Sequence, residues 1–347
     1  MTETAAAPVF AAGLVDVRPG HSFDEARFGE FLQGRLDGYA GHLIVKQFEG
    51  GQSNPTFLLA SGDRCWVLRK KPPGKLLPTA HAVEREHRIL TALQGTAVPV
   101  PRVCLTSDDE SLIGTPFFVM EFVPGRVFHD PTLPGVAPED RGRMYDDMNR
   151  VLAALHGVDY AARGLSDYGK PGNYFTRQIG RWTQQYAAAR TDDIPSMDAL
   201  IEWLPAHVPD DDTTTIVHGD FQISNLLFHP SEPRVVALLD WELSTLGHPM
   251  ADLAYSCHRY HVTPGGLAGN GIPTEEEYVA RYCERTGRPR IPNWNFYLAF
   301  SLFRLASIVQ GVYKRGLQGN ASSSAAVGLK LVVDAFADKA WELARQG

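Results

Sequence analysis

Two carboxylates and one amide in the second half of the chain have the types and spacing that phosphoryl transfer requires. Asp220 and Asn225 stand five residues apart within 216–228, and Asp240 follows the apolar run 235–239. One carboxylate can orient an acceptor hydroxyl and take its proton, while an amide oxygen and a second carboxylate hold Mg²⁺ against the phosphates of ATP. A β-hairpin between the two segments would bring the three side chains to one end. The alternative interpretation makes Asp220 and Asn225 turn residues and Asp240 a strand cap.

The strands and helices predicted around these side chains indicate an α+β fold. The first third of the chain is rich in strands, and the remainder has the periodicity of helices with a short β interruption. The predicted strands are 42–48, 56–60, 64–70, 102–106, 117–123, 214–217, 225–228 and 235–239. The predicted helices are 23–36, 80–93, 139–156, 174–190, 251–260, 275–286, 295–314 and 322–345.

Composition excludes several classes of protein. The net charge of −7 argues against a nucleic-acid binder that works by neutralising phosphates. The four cysteines are scattered without a C-x-x-C pair, and the first residues lack a basic stretch, which favours a reducing, cytoplasmic location. No apolar run reaches the ~20 residues of a membrane span, so no membrane partner is expected.

These motifs resemble the aminoglycoside phosphotransferase family. His218-Gly219-Asp220 and Asn225 match its H-G-D-x-x-x-x-N loop, and Asp240-Trp-Glu stands where protein kinases carry Asp-Phe-Gly. The strings 50–56, 67–74, 173–182 and 240–247 are similar to the subgroup whose kinase domain is fused to acyl-CoA dehydrogenases in some organisms.

The resemblance implies a protein-kinase-like fold with two lobes. Residues 1–122 would form an N-terminal helix and a small β-rich lobe that binds ATP. Residues 123–347 would form a larger, mainly helical lobe with the catalytic loop, the metal site and the acceptor pocket. It also implies ATP and Mg²⁺ as cofactors, and a functional link to an acyl-CoA dehydrogenase.

An ion pair is expected beside the phosphates. The strand 64–70 places Val67 and Arg69 on one face, which the resemblance turns toward ATP, with Arg69 where most kinases have a lysine. Glu86 lies on the apolar side of the helix 80–93 and needs a cation there, and Arg69 is the obvious partner. The alternative is that Arg69 is a solvated cation at a strand end.

The remaining nucleotide contacts come from the resemblance alone. The loop 50–54 would cover the phosphates with its amides or the Ser53 hydroxyl, although a plain hairpin turn would have the same sequence. The adenine would pair with the Glu121 carbonyl and the Val123 amide, with Met120 behind it.

Two kinds of acceptor remain open. A polycationic aminoglycoside would need clustered carboxylates, for which 210–212 and 275–277 are candidates, each also explained as a solvated segment. An anionic acyl-CoA would need a basic groove, and Arg177 and Arg181 lie four residues apart on the helix 174–190. A solvated helix face is the alternative interpretation of that pair.

The resemblance favours a small-molecule kinase that phosphorylates the hydroxyl of a hydroxyacyl-CoA, particularly a 4-hydroxyacyl-CoA, or of a related hydroxy acid. A nucleotide-binding pseudokinase or regulator is the alternative of another class. It is disfavoured because Asp220, Asn225 and Asp240 are all present, and a pseudokinase normally lacks one of them.

Overall fold

The strands of the first third pair into one antiparallel sheet of six. The computed structural model describes residues 13–49, 54–72, 83–320 and 323–346. In spatial order the strands are β1 (Leu14–Val15), β2 (Ile44–Phe48), β3 (Thr56–Ser61), β4 (Arg64–Lys70), β6 (Phe117–Glu121) and β5 (Val103–Ser107). Neighbours in this order are all antiparallel, and the central β4 aligns Val67 with Met120 of β6.

An aromatic core packs against this sheet. Helix α1 (Glu25–Leu32) begins at Asp24, whose side chain accepts from the Arg27 amide and caps the first turn. Its Phe28 is fully buried and meets Phe117 edge to face, with ring centroids 5.4 Å apart. Full burial of one such side chain stabilises a fold by about 1.5–3 kcal/mol, so this cluster anchors the sheet.

A second helix brings an acid to the sheet. The described part of the predicted helix 80–93 is α2 (Val83–Leu93), with Val83, Ile89, Leu90 and Leu93 buried at helical spacing. Glu86 is buried on the same stripe. The short α3 (Glu110–Ile113) follows between β5 and β6.

The described residues divide into two compact units. The first takes the chain up to His129 together with Ala162–Leu165 and Ile223–Leu243, and the second takes the rest. The hairpin of β8 (Leu226–Phe228) and β9 (Val235–Leu238) therefore belongs to the first unit. The predicted lobes 1–122 and 123–347 stay a prediction, and the two units group the chain differently.

Backbone hydrogen bonds explain why the hairpin joins the first unit. The Arg126 amide donates to the Phe228 carbonyl over 2.7 Å, and the Leu238 amide donates to the Pro99 carbonyl over 2.8 Å. Both strands of the hairpin are thus tied to segments that precede His129. Sequence proximity alone would assign the hairpin to the helices around it.

The second unit is mainly helical, which confirms the α+β prediction. Its helices are α4 (Pro138–His156), α5 (Tyr174–Ala189), α6 (Pro195–Ala206), α7 (Met250–Val262), α8 (Glu275–Thr286), α9 (Trp294–Arg315) and α10 (Ser323–Ala344). Strands β7 (Thr215–Val217) and β10 (Thr245–Gly247) form a small antiparallel pair. The sequence analysis missed α6, which has a proline at each end.

One helix among the described residues has the length and apolar composition of a membrane span. It runs over Trp294–Gln318, and an 18-residue stretch within it has a mean hydropathy of 1.3 and is 72% buried inside the protein. The sequence analysis found no such run, because Arg304, Lys314 and Arg315 interrupt the apolar residues. The burial is that of a core helix, and length and composition are weak evidence for a span.

Gly125 provides a test of how closely the hairpin is packed. A Cβ atom there would lie 2.6 Å from the Phe228 carbonyl oxygen and 2.5 Å from Cγ of Leu227. We expect Gly125→Ala to lower the free energy of unfolding by about 1–3 kcal/mol, measured by urea denaturation. Gly180→Ala is the matched control, because its Cβ meets nothing within 4 Å and a helix favours alanine. Equal effects of the two substitutions would contradict this packing.

Candidate active site

A single guanidinium in the first unit lies among three carboxylates. Nε of Arg69 is 2.6 Å from Oε2 of Glu86, and Nη2 is 3.0 Å from Oδ1 of Asp240 and 3.9 Å from Oε2 of Glu242. The predicted Arg69–Glu86 pair is present. A planar guanidinium presents several donors at once. Arg69 therefore contacts both the carboxylate from α2 and the carboxylates that follow β9.

The electrostatic balance of this cluster is negative. Burial opposes the charge of Arg69, but Glu86, Asp240 and Glu242 together raise the pKa of Arg69 above its ordinary value. Burial raises the pKa of Glu86 to about 7, although Arg69 and the Asn54 amide, which donates to Glu86 over 2.7 Å, favour its charged form. The cluster is therefore suited to receive a further positive charge.

The two predicted metal-ligating side chains flank the open end of the hairpin. Leu226 pairs with Leu238 in the ladder, and the Leu239 amide donates to the Asn225 carbonyl over 2.9 Å. Asp240 follows directly with φ 65°, a left-handed conformation that is strained for a residue with a Cβ. The hairpin brings Asn225 and Asp240 to one end, as predicted, whereas the prediction that Asp220 joins them there stays a prediction.

The donor types at this end fit Mg²⁺. Among the described residues no group of three or more His, Cys, Asp and Glu side chains could hold a metal ion. A nucleotide-bound Mg²⁺ needs fewer protein ligands, because phosphate oxygens and water supply the rest. The side chain of Asp240 is 38% exposed, so it is accessible as such a ligand.

A cavity of about 300 Å³ in the first unit contains most of the predicted nucleotide contacts. Its charged and polar lining includes Arg69, Glu86, Glu121, Asn225 and Asp240, and its apolar lining includes Val67, Met120, Val123, Leu227 and Leu238. The volume lies at the lower end for small-molecule sites. Residues 50–53 of the predicted loop 50–54, including Ser53, lie outside the described residues.

Part of the backbone of the predicted hinge strand is already hydrogen-bonded within the protein. The Glu121 amide donates to the Arg102 carbonyl over 2.9 Å, and the Glu121 carboxylate accepts from the Arg102 amide over 3.0 Å. The predicted adenine contacts are the Glu121 carbonyl and the Val123 amide. The roles assigned to both residues stay predictions.

The loop that carries Asp220 belongs to the second unit, where a buried acid holds it. Asp252 accepts from the amides of His218 and Gly219 over 2.6 and 2.8 Å, and His156 lies 3.4 Å away. Burial opposes the charge of Asp252, but His156, His218 and the Gly219 amide hold its pKa below the ordinary value. Asp252 is therefore ionised, and its carboxylate holds the loop in place.

Asp220 itself accepts from two side chains. Tyr255 Oη lies 2.5 Å from its Oδ1, and Gln222 Nε2 lies 3.0 Å from the same oxygen. Sequence reasoning missed Tyr255, because a tyrosine among the apolar residues of α7 is typical of a core position. Asp252, on the same helix, was not among the predicted site residues.

The two predicted substrate-binding arginines have different surroundings. Arg177 donates through its guanidinium to the carbonyls of Lys170 and Gly172, so it closes the loop before α5. Arg181 is exposed and lies over the Trp182 ring, 5.6 Å from its centroid. The helical spacing was right, but the sequence contained no signal for the loop carbonyls that Arg177 contacts.

The chain matches a family model described as the phosphotransferase enzyme family over residues 44–297. The chain belongs to this family. As a phosphotransferase it has the fold of the aminoglycoside phosphotransferases, with a β-sheet part and a helical part, as the resemblance in the sequence implied.

A solved structure and a curated relative cover almost the whole chain. A Ralstonia eutropha protein provisionally assigned as an aminoglycoside phosphotransferase is 50% identical, with a TM-score of 0.86 over 94% of this chain and 99% of that one. Acyl-CoA dehydrogenase family member 10 of Mus musculus is 48% identical over 94% of this chain and 32% of its own length. The chain thus spans less than half the length of the curated relatives it matches.

A more distant neighbour was solved with a nucleotide. The aminoglycoside phosphotransferase APH(4)-Ia, in a ternary complex with AMP-PNP and hygromycin B, is 16% identical, with a TM-score of 0.60 over 89% of this chain and 97% of that one. At this identity the likeness concerns the fold alone.

The raised pKa of Glu86 predicts a pH dependence of stability. A carboxyl whose pKa is about 7 when folded and about 4.5 when unfolded favours the folded state below pH 4.5. That contribution is lost as the pH rises through 7, at most about 3 kcal/mol. We expect the unfolding free energy of the metal-free protein, relative to Glu86→Gln, to fall between pH 5 and pH 8. Parallel pH curves for the two proteins, measured by urea denaturation, would refute the assigned shift.

Proposed function

We propose that this phosphotransferase moves the γ-phosphate of ATP, with Mg²⁺, to the hydroxyl of a hydroxyacyl-CoA or a related hydroxy acid. The observation that carries the kinase chemistry is the grouping of Arg69, Glu86, Asn225 and Asp240 around one cavity in a member of this family.

The cavity has the two surfaces that ATP requires. Val67, Met120 and Leu227 provide an apolar surface for the adenine, and Arg69 provides a permanent positive charge for the phosphates. The nucleotide complex of APH(4)-Ia supports nucleotide binding by this fold. We assign ATP to this cavity, with the adenine against the Glu121–Val123 backbone.

Asn225 and Asp240 would hold Mg²⁺, which neutralises phosphate oxygens when bound. The oxygen of the acceptor hydroxyl forms the new bond to the γ-phosphorus while the bond to the bridging oxygen of ADP breaks. Asp220 accepts the hydroxyl proton and aligns the oxygen for in-line attack. Asp252 keeps the Asp220 loop in place through the His218 and Gly219 amides.

Two observations favour an anionic acceptor. The chain is 42–48% identical to proteins named acyl-CoA dehydrogenase family members 10 and 11, whose names refer to acyl-CoA esters. Arg181 is exposed beside Trp182, an arrangement suited to a phosphate next to an aromatic ring system. We further propose a functional link to an acyl-CoA dehydrogenase and a cytoplasmic location.

The carboxylates available to a polycationic aminoglycoside are largely engaged. Asp211 lies 3.3 Å from His248 and 3.5 Å from Arg288, and Asp212 accepts from the Asn173 amide. Glu275 pairs with His261 over 2.9 Å. An aminoglycoside is therefore the second candidate acceptor, favoured by the fold and by the name of the Ralstonia eutropha protein that is 50% identical.

The proposal is tested by Mg²⁺-dependent ADP release with three acceptors: a 4-hydroxyacyl-CoA, the free 4-hydroxy acid and kanamycin. We expect turnover with the CoA ester, a weaker rate with the free acid and none with kanamycin. Asp220→Ala should lower kcat by about 10²–10⁴-fold and keep ATP binding, because it removes the general base alone.

The outcomes separate the parts of the proposal. Turnover with kanamycin alone would replace the acyl-CoA acceptor by an aminoglycoside and leave the kinase chemistry intact. Near wild-type turnover in Asp220→Ala would remove Asp220 as the base. Asp193→Ala, which changes an exposed carboxylate of the same unit, is the matched control and should keep full activity.

A further inference from the structure

The side chain of Tyr255 points at the predicted general base from the interior of the second unit. Its Oη lies 2.5 Å from Oδ1 of Asp220. Tyr255 is only 6% exposed, and burial together with the neighbouring carboxylate raises its pKa well above the ordinary value. The phenol therefore keeps its proton at neutral pH and acts as the donor of this hydrogen bond.

Gln222 adds a second contact to the same carboxylate. Its Nε2 lies 3.0 Å from Oδ1 and 3.2 Å from Oδ2 of Asp220. Gln222 is on the loop itself, whereas Tyr255 is part of helix α7. The phenol thus ties the carboxylate to a helix of the unit.

A buried arginine supports both the phenol and the loop. Cζ of Arg304 lies 5.4 Å from the centroid of the Tyr255 ring, and its Nη2 donates to the Gly219 carbonyl over 2.6 Å. The same guanidinium lies 5.7 Å from the Trp182 centroid. Helix α9 therefore braces the tyrosine ring and the backbone of the residue before Asp220 together.

We propose that Tyr255 is the positioning residue that holds the Asp220 carboxylate in the orientation needed to receive the acceptor proton. This proposal rests on the proposed function, in which Asp220 is the general base. A carboxylate freed from the phenol can rotate about its side-chain bonds, so the fraction of bound acceptors in a reactive geometry falls. Misplacement of a reacting group by about 1 Å can cost a hundredfold in rate.

The test compares Tyr255→Phe with Tyr145→Phe. Tyr145 is also a buried tyrosine of the second unit, and its Oη donates to the Pro131 carbonyl over 2.7 Å, so the control removes an equivalent buried hydrogen bond. With the 4-hydroxyacyl-CoA as acceptor, we expect Tyr255→Phe to lower kcat about ten- to a hundredfold. The KM for ATP should stay within about twofold, since the cavity assigned to ATP belongs to the first unit. Tyr145→Phe should keep the wild-type kcat.

A crystal structure of Tyr255→Phe supplies a readout that does not depend on the acceptor. We expect the Asp220 carboxylate to leave the orientation it has in the wild-type structure, with the His218–Gly219 backbone unchanged. An unchanged Asp220 orientation, or a kcat equal to that of Tyr145→Phe, overturns the proposal. If the wild-type protein turns over none of the three acceptors, the proposed function fails, and the Asp220 orientation alone decides the role of Tyr255.

Discussion

The candidate site depends on one buried guanidinium that is shared among carboxylates from separate parts of the chain. Arg69 comes from a central strand, Glu86 from the helix between β4 and β5, and Asp240 from the end of a hairpin about 170 residues after Arg69. Removal of one partner from a buried ion pair typically costs about 3–5 kcal/mol, because the other charge is left unpaired. Loss of one residue of the cluster would therefore both alter the candidate site and destabilise the unit that contains it.

The same cluster explains why the site suits a metal-bound nucleotide. One cation faces three carboxylates, and burial, together with the nearby Asp240 and Glu242, raises the pKa of Glu86 to about 7. Asp240 is held in a left-handed backbone conformation whose cost, about 1–3 kcal/mol, must be offset by its surroundings. Excess negative charge and a strained, partly exposed carboxylate are expected where a divalent cation completes the charge balance.

Much of this could be predicted from the sequence, and the failures have physical causes. Helical spacing put Glu86 on an apolar stripe, where only a cation could satisfy it, and that reasoning identified Arg69. Helix α6 was missed, although its Pro195 lies in the first turn, where proline is favourable. Strand β10 was missed because it pairs with β7, whose Val217 lies 28 residues before Thr245. Contacts between distant segments leave no local pattern.

A crystal structure with AMP-PNP and Mn²⁺ in place of Mg²⁺ would locate both the nucleotide and the metal, because Mn²⁺ is identified by its anomalous scattering. We expect an anomalous peak coordinated by Asn225, Asp240 and phosphate oxygens, with a phosphate near Arg69 and the adenine against Met120. A nucleotide bound outside this cavity, or a metal without contact to Asn225 and Asp240, would contradict this assignment.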